Sequence, residues 1–132
     1  MASTAQHFEL ASDAVEHGEL YVRAFNSGDA DAVNRMYTED AISVWEPGRP
    51  LTGQARKDAL AEFLSMRPTM RAKLLESHVT SGTALLVVDW EIDVTTPEGP
   101  QHLKGTGLDV LRRGADGKWR FAVDNPFGEA GV

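Results

Sequence analysis

From Ser12 to Asn26 the positions Ala14, Gly18, Tyr21 and Phe25 recur at helical spacing, and Val15 and Val22 widen the stripe. That is the pattern of a helix with one face on a core. Asp13 and Glu16 form a capping pair at its start, Gly28 suits its C-terminal cap, and Asp29 opens a second short helix to about Tyr37. Asp40 to Glu46 reads as a strand. Thr52-Gly53 then opens a third helix to about Met66, with Ala59, Leu60, Phe63 and Leu64 inward and Pro68 ending it. Beyond Pro68 the period becomes two. Strands are expected at about 70–81, 84–94, 101–113 and 118–124, with turns at Ser81-Gly82, Pro97-Glu98-Gly99-Pro100 and Gly114-Ala115-Asp116-Gly117. Helices followed by antiparallel strands indicate an α+β domain with the helices on one sheet face. Residues 1–11 are expected to be a flexible leader, 12–128 the single domain and 129–132 a tail.

Register decides which side chains meet. Pairing Val94 with Gln101 sets Ile92 opposite Leu103, Trp90 opposite Gly105 and Val88 opposite Gly107. The other side of that hairpin then carries the exposed pairs Glu91–Lys104 and Asp93–His102. A hairpin tightened at Gly114–Gly117 puts Asp109 beside Ala122 and Gly107 beside Asp124. One face therefore gathers Val88, Trp90, Ile92, Leu103 and Ala122 with two glycines and the carboxylates Asp109 and Asp124. Glycines opposite a tryptophan leave volume above the sheet, which favours a pocket. The opposite face carries Leu108, Val110, Trp119, Phe121 and Val123 and is apolar too. An uncovered apolar face points to a homodimer through the outer side of the sheet.

In the first strand Ile42, Val44 and Glu46 share a face by alternation. Glu46 thus continues an apolar row, and a carboxylate aimed into an apolar cavity has a raised pKa and can accept a proton. The plainer readings stand beside this one. Glu46 could face water, Tyr21 could be a core tyrosine, Asp109 could pair with Arg113 or Arg120, and Asp124 could cap the Asn125-Pro126 turn. Trp45 and Trp90 suit a pocket wall.

Composition narrows the classes. The chain has 132 residues, 42% of them hydrophobic and 25% charged, which fits one globular domain. Its formal net charge of −7 argues against nucleic acid and anionic membranes as partners. Cysteine is absent, excluding disulfide and thiolate chemistry. Neither a secretory signal nor a membrane-length apolar run is present, so a cytoplasmic location is expected. His7, His17, His78 and His102 are scattered, so no metal site is expected; Gly105-Thr106-Gly107 lies within a strand and is no phosphate loop. Ser43, Ser65 and Ser77 have no evident histidine partner for a nucleophilic triad.

Three stretches carry a resemblance to a known family: Tyr21-Val22-Arg23-Ala24-Phe25-Asn26-Ser27-Gly28-Asp29, Tyr37-Thr38-Glu39-Asp40-Ala41, and Glu46-Pro47 followed by Leu51-Thr52-Gly53. Asp109, Asp116-Gly117-Lys118-Trp119-Arg120 and Asp124-Asn125-Pro126-Phe127-Gly128 extend it. Over residues 12–128 the chain resembles the ketosteroid isomerase and SnoaL-like branch of the nuclear-transport-factor-2-like superfamily. The resemblance implies a cone-shaped domain, three N-terminal helices on a strongly curved antiparallel sheet. Ketosteroid isomerase, itself a worked case of tuned carboxyls, pairs an Asp base with a Tyr and a protonated Asp. Carried over, Tyr21 matches the oxyanion tyrosine and Asp109 the protonated aspartate. Aligning on the proline puts Glu46 at the base position, and aligning on Asp40-Ala41 puts Trp45 there; strand parity selects Glu46. Glu46 would then remove a proton beside the carbonyl of a small apolar substrate, with no cofactor. Trp45, Phe63, Val88, Trp90, Ile92, Ala122, Asp124 and Phe127 would contact that substrate. The same superfamily also implies other outcomes: a polyketide-type cyclase or epoxide hydrolase using Asp109 or Asp124, or a non-catalytic ligand-binding or partner-binding domain.

Overall fold

The computed structural model describes residues 8–46 and 48–128. Helix α1 spans Ala14–Ser27, α2 Ala30–Asn34 and α3 Gly53–Ser65; strands are β1 Tyr37–Glu46, β2 Arg49–Leu51, β3 Thr69–Val79, β4 Thr83–Thr96, β5 Gly99–Arg113 and β6 Trp119–Asn125. The class is α+β, with the six strands in the order β2-β1-β6-β5-β4-β3 in one curved, unclosed sheet. All neighbours are antiparallel except β1 and β6, which run parallel. No helix of the described residues is long and apolar enough to cross a membrane.

The helix signals act as expected. The Asp13 carboxylate accepts the backbone N–H groups of Val15 and Glu16, and Gly28 closes α1 in the left-handed region at φ 78°. Asp29 caps α2 through the Ala32 N–H. Helix α2 stops at Asn34, however, and Tyr37 opens β1 instead of closing a helix. Residues 8–11 are no leader: Phe8 and Leu10 pack on the core and the Ala11 carbonyl accepts the Trp119 N–H. The rest of the expected leader, and the tail at 129–132, lie outside the described residues. Asn26, at the end of α1, exchanges two hydrogen bonds with the Met70 backbone (2.6 and 3.0 Å) and so joins α1 to β3 as a strand partner would.

The β4–β5 register is as the sequence predicts, from Val94↔Gln101 through Val88↔Gly107. The β5–β6 register departs in two ways. Arg113 pairs with Trp119 and Leu111 with Phe121, one residue beyond the tight turn expected. A bulge before Val123 adds a second residue, so Asp109 faces Asp124 rather than Ala122. Two single-residue shifts restore parity, leaving Asp124 on the inner face. Trp119 and Phe121 move from the expected outer face into the core. Strand β3, at one margin, is exposed along almost its whole length, including Leu74, Leu75 and Val79, and its ladder with β4 slips between Leu74 and Glu76.

His17 lies in the core with neither ring nitrogen partnered and its ring edge-on to Phe121, centroids 4.5 Å apart. Burial, aided by the charge of Arg120, lowers its pKa from 6.5 to about 4. The native state therefore binds fewer protons than the unfolded chain between those values, and stability falls as pH drops through that window. The loss amounts to about 3 kcal/mol by pH 4. His17→Leu should remove this component, which urea denaturation at pH 7 and pH 4.5 on both proteins will measure.

Candidate functional site

A cavity of about 210 Å³ lies between α1, α3 and the inner face of the sheet. Its walls are almost wholly apolar. Phe25 and Phe63 come from the helices, Val88, Trp90 and Ile92 from β4, and Leu103 from β5. Trp45 closes one side, its ring 6.2 Å from that of Phe63. Among the described residues, the carboxylates that reach this cavity are Asp109 and Asp124.

Of the residues expected to contact a substrate, Trp45, Phe63, Val88, Trp90, Ile92, Asp124 and Phe127 line the cavity, as do Tyr21 and Asp109. Two do not. Ala122 is buried but sits at the β6 bulge, which turns it out of the lining. Glu46 points away: its side chain is 73% exposed and lies 3.9 Å from Arg49 across the turn to β2. The alternation of β1 holds, but its facing is the reverse of that expected. Ala41 and Ser43 are the fully buried members of the strand, while Ile42 and Val44, only half-buried, share the outer side with Glu46. Parity with Ser43 then sends Trp45, not Glu46, towards the cavity.

Of the β5 glycines, Gly107 lines the cavity as expected, and Gly105 does not. The space above Gly105 is filled: a Cβ there would stand 3.0 Å from the Trp90 ring, 3.1 Å from the Pro126 carbonyl and 3.2 Å from the Phe127 ring. After β6 the segment Asn125–Gly128 folds back over β5 as a strap, and the Trp90 indole N–H donates to the Pro126 carbonyl at 2.6 Å. The glycines admit this strap, and the strap forms a cavity wall through Pro126 and Phe127.

A chain of hydrogen bonds runs into the wall. The Tyr37 hydroxyl donates to Asp124 Oδ2 at 2.8 Å, and the Trp45 indole N–H donates to the same oxygen at 3.2 Å. Tyr37 has one proton and gives it to Asp124, so the Tyr21 hydroxyl, 2.8 Å away, must be the donor to Tyr37. Asp109 accepts only the Asn125 N–H, at 3.3 Å. It has no arginine partner, since Arg120 is held by Asp116 at 2.8 Å. Nor does Asp124 cap the following turn.

Burial raises the Asp109 pKa well above the carboxylate range, and the charge of Asp124 raises it further. Burial raises Asp124 too, but donors from Tyr37, Trp45 and Asp109 and the charge of Arg56 pull it back. Of the pair, these surroundings favour the proton on Asp109 and the charge on Asp124. Tyr21 and Tyr37 are both pushed up by burial, then by Asp124, and stay protonated. The described residues hold no cluster of three or more metal-ligating side chains.

The family model described as a SnoaL-like domain matches residues 19–122. The chain belongs to the SnoaL-like domain family. Among solved structures, a conserved protein from Planctomyces limnophilus DSM 3776 superposes with a TM-score of 0.74 at 21% identity, covering 83% of this chain and 88% of that one. A protein from Thiobacillus denitrificans ATCC 25259, described as a calcium/calmodulin-dependent protein kinase type II association domain, gives 0.71 at 17% identity over 89% and 95%. The epoxide hydrolase/cyclase-like enzyme SalBIII, of pyran ring formation in polyether salinomycin, gives 0.63 at 21% identity over 89% and 93%. Identities this low establish the fold this SnoaL-like chain shares with them. No curated protein matches it.

Two residues of the network are missing from the sequence-based site. Tyr37 stands in the stretch Tyr37-Thr38-Glu39-Asp40-Ala41, but the pattern before it suggests the end of a helix. Arg56 precedes Leu60 and Leu64 at intervals of four, and the three form the buried stripe of α3. An arginine in a leucine row is the available signal.

Two outcomes test this geometry. Gly105→Ala should lift the strap, with a loss of about 1–3 kcal/mol in urea and a red shift of tryptophan emission as Trp90 parts from Pro126. Asp109→Asn tests the proton. In the native chain Asp109 stays protonated above the 3.8 at which the unfolded carboxyl ionises, so its contribution to stability declines as pH rises. An amide at this position carries no such penalty and still donates to Asp124. The variant should match the parent near pH 4 and exceed it at pH 7.5 in paired urea titrations.

Proposed function

We propose that this SnoaL-like chain is a cofactor-independent acid–base enzyme for a small, largely apolar carbonyl compound. Asp124 serves as proton acceptor and Asp109 as proton donor. One observation carries the reading: two carboxyls, Asp109 and Asp124, stand side by side on the wall of an otherwise apolar cavity, in surroundings that favour the proton on Asp109 and the charge on Asp124. Asp124 takes a proton from the carbon next to the carbonyl while Asp109 gives its proton to the carbonyl oxygen, forming an enol. Ionised Asp109 then recovers the hydroxyl proton. Where the substrate carries a β,γ double bond Asp124 returns its proton to the γ carbon and the conjugated isomer leaves; in a saturated ketone the proton returns to the same carbon, with both carboxyls reset in either case. Proton transfers alone are involved, so no redox group or metal is required. Asp124 takes the role first expected of Glu46, and Tyr21 supports the site through Tyr37 rather than touching the oxyanion.

That last feature favours a second reading. With Tyr21 committed to Tyr37, a substrate oxygen meets one strong donor, Asp109, which suits complete proton transfer to a leaving oxygen. Asp109 would protonate an epoxide oxygen as its C–O bond breaks. Asp124 would take the proton of an attacking water or substrate hydroxyl, giving a diol or a ring ether. The likeness to SalBIII adds that the same fold carries an epoxide hydrolase/cyclase-like enzyme.

The proposal keeps a second copy of the chain as partner on the outer sheet face. Ile42, Val44, Leu108, Val110 and Val123 are half-buried there, while α1 and α3 serve the cavity side.

The deciding experiment incubates the protein with small cyclic ketones and with matched epoxides in deuterated buffer and follows both by NMR. Deuterium entering beside the carbonyl, lost about 100-fold in Asp124→Asn and in Asp109→Asn but retained in Glu46→Gln, is the expected result. Epoxide opening with the same variant pattern selects the second reading. Saturable binding without turnover of either class makes the chain a binder and removes the proposal.

A further inference from the structure

Two charged side chains are buried among the described residues, Arg56 on α3 and Asp124 on β6. They do not form an ion pair. The Arg56 guanidinium lies over the Tyr37 ring, 4.2 Å from its centroid, and one Nη donates to Asn34 Oδ1 at 3.3 Å; its Nε has no partner. Beyond the ring, the Tyr37 hydroxyl gives its proton to Asp124. Cation, phenol and carboxylate thus form one stack, and its two ends need each other. The carboxylate draws on the phenol proton and enriches the ring facing the guanidinium, while the guanidinium makes the phenol a better donor to the carboxylate. A buried cation with no nearby anion is costly, and this arrangement supplies the anion through the aromatic ring.

We propose that Arg56 is a positioning residue for the aspartate pair: seated behind Tyr37 and outside the cavity, it fixes the negative charge on Asp124 and so leaves the proton with Asp109. The inference rests on the acid–base reading of those carboxyls and adds the group that keeps their roles distinct. Without the cation, Asp124 retains its donors but loses its counter-charge, and the pair takes up a second proton at higher pH. A doubly protonated pair has a donor and no acceptor. The other titratable groups facing Asp124 are Tyr21 from α1, Tyr37 from β1 and Asp109 from β5. His17, also on α1, stacks on Phe121 and is neutral above about pH 4.

The test needs no substrate. The full chain is labelled with ¹³C at the aspartate carboxyls and titrated by NMR, as the parent and as Arg56→Gln, which keeps a planar polar end on a shorter side chain and removes the charge. The expected result is an Asp124 midpoint moved to higher pH by about tenfold in proton affinity. An unmoved midpoint in folded Arg56→Gln overturns the proposal. Should that variant fail to fold, the parent decides alone. By linkage the Arg56 ¹⁵Nε resonance must shift with the same midpoint as the Asp124 carboxyl, and a resonance that stays flat overturns the proposal. Coupled titration in a protein that turns over nothing upholds the role of Arg56 and sinks the enzymatic reading; turnover with uncoupled titration does the reverse.

Discussion

The hydrogen bond from Tyr37 to Asp124 is the joint around which this protein is arranged. It ties the first residue of β1 to the far end of β6, strands separated by most of the chain but running parallel side by side. A carboxylate enclosed in apolar surroundings is tolerable only when its lone pairs are occupied. Here a phenol, an indole and a neighbouring acid occupy them. To supply two of those donors β1 must turn Tyr37 and Trp45 inward, so its small residues Ala41 and Ser43 face the core and its branched ones face out.

That demand explains where the sequence was legible. The β4–β5 hairpin could be read residue by residue because its turn is marked by Pro97 and Pro100 and its exposed partners are complementary in charge. The helix caps at Asp13, Gly28 and Asp29 were equally local signals. For β1 the larger apolar residues suggested the wrong inner face, because volume alone does not reveal a buried carboxylate on another strand. At β6 the bulge was invisible, yet Asp124 was still placed on the inner side, since an extra turn residue and an extra strand residue cancel in a period of two. Trp119 and Phe121, between the two shifts, were misplaced for the same reason.

The site inverts a common order of design. Its walls are greasy and its carboxyls are deep, so the low dielectric that makes a charge on Asp124 expensive to bury also sharpens what that charge can do to a bound molecule. The likenesses span an association domain and an epoxide hydrolase/cyclase-like enzyme, which fits a fold that supplies a hollow and leaves its chemistry to a few side chains.

Strand β3 closes the sheet on one side with no strand beyond it; Asn26 holds its margin at Met70, and further along leucines and a valine stand exposed. A long, straight margin of that kind is a template for edge-to-edge growth into fibrils. The slip between Leu74 and Glu76 breaks the row midway, and Arg71, Lys73 and Glu76 put charge on both sides of the break. An incoming strand can follow the margin for only about half its length before the spacing fails, so the irregularity guards the protein against templating copies of itself.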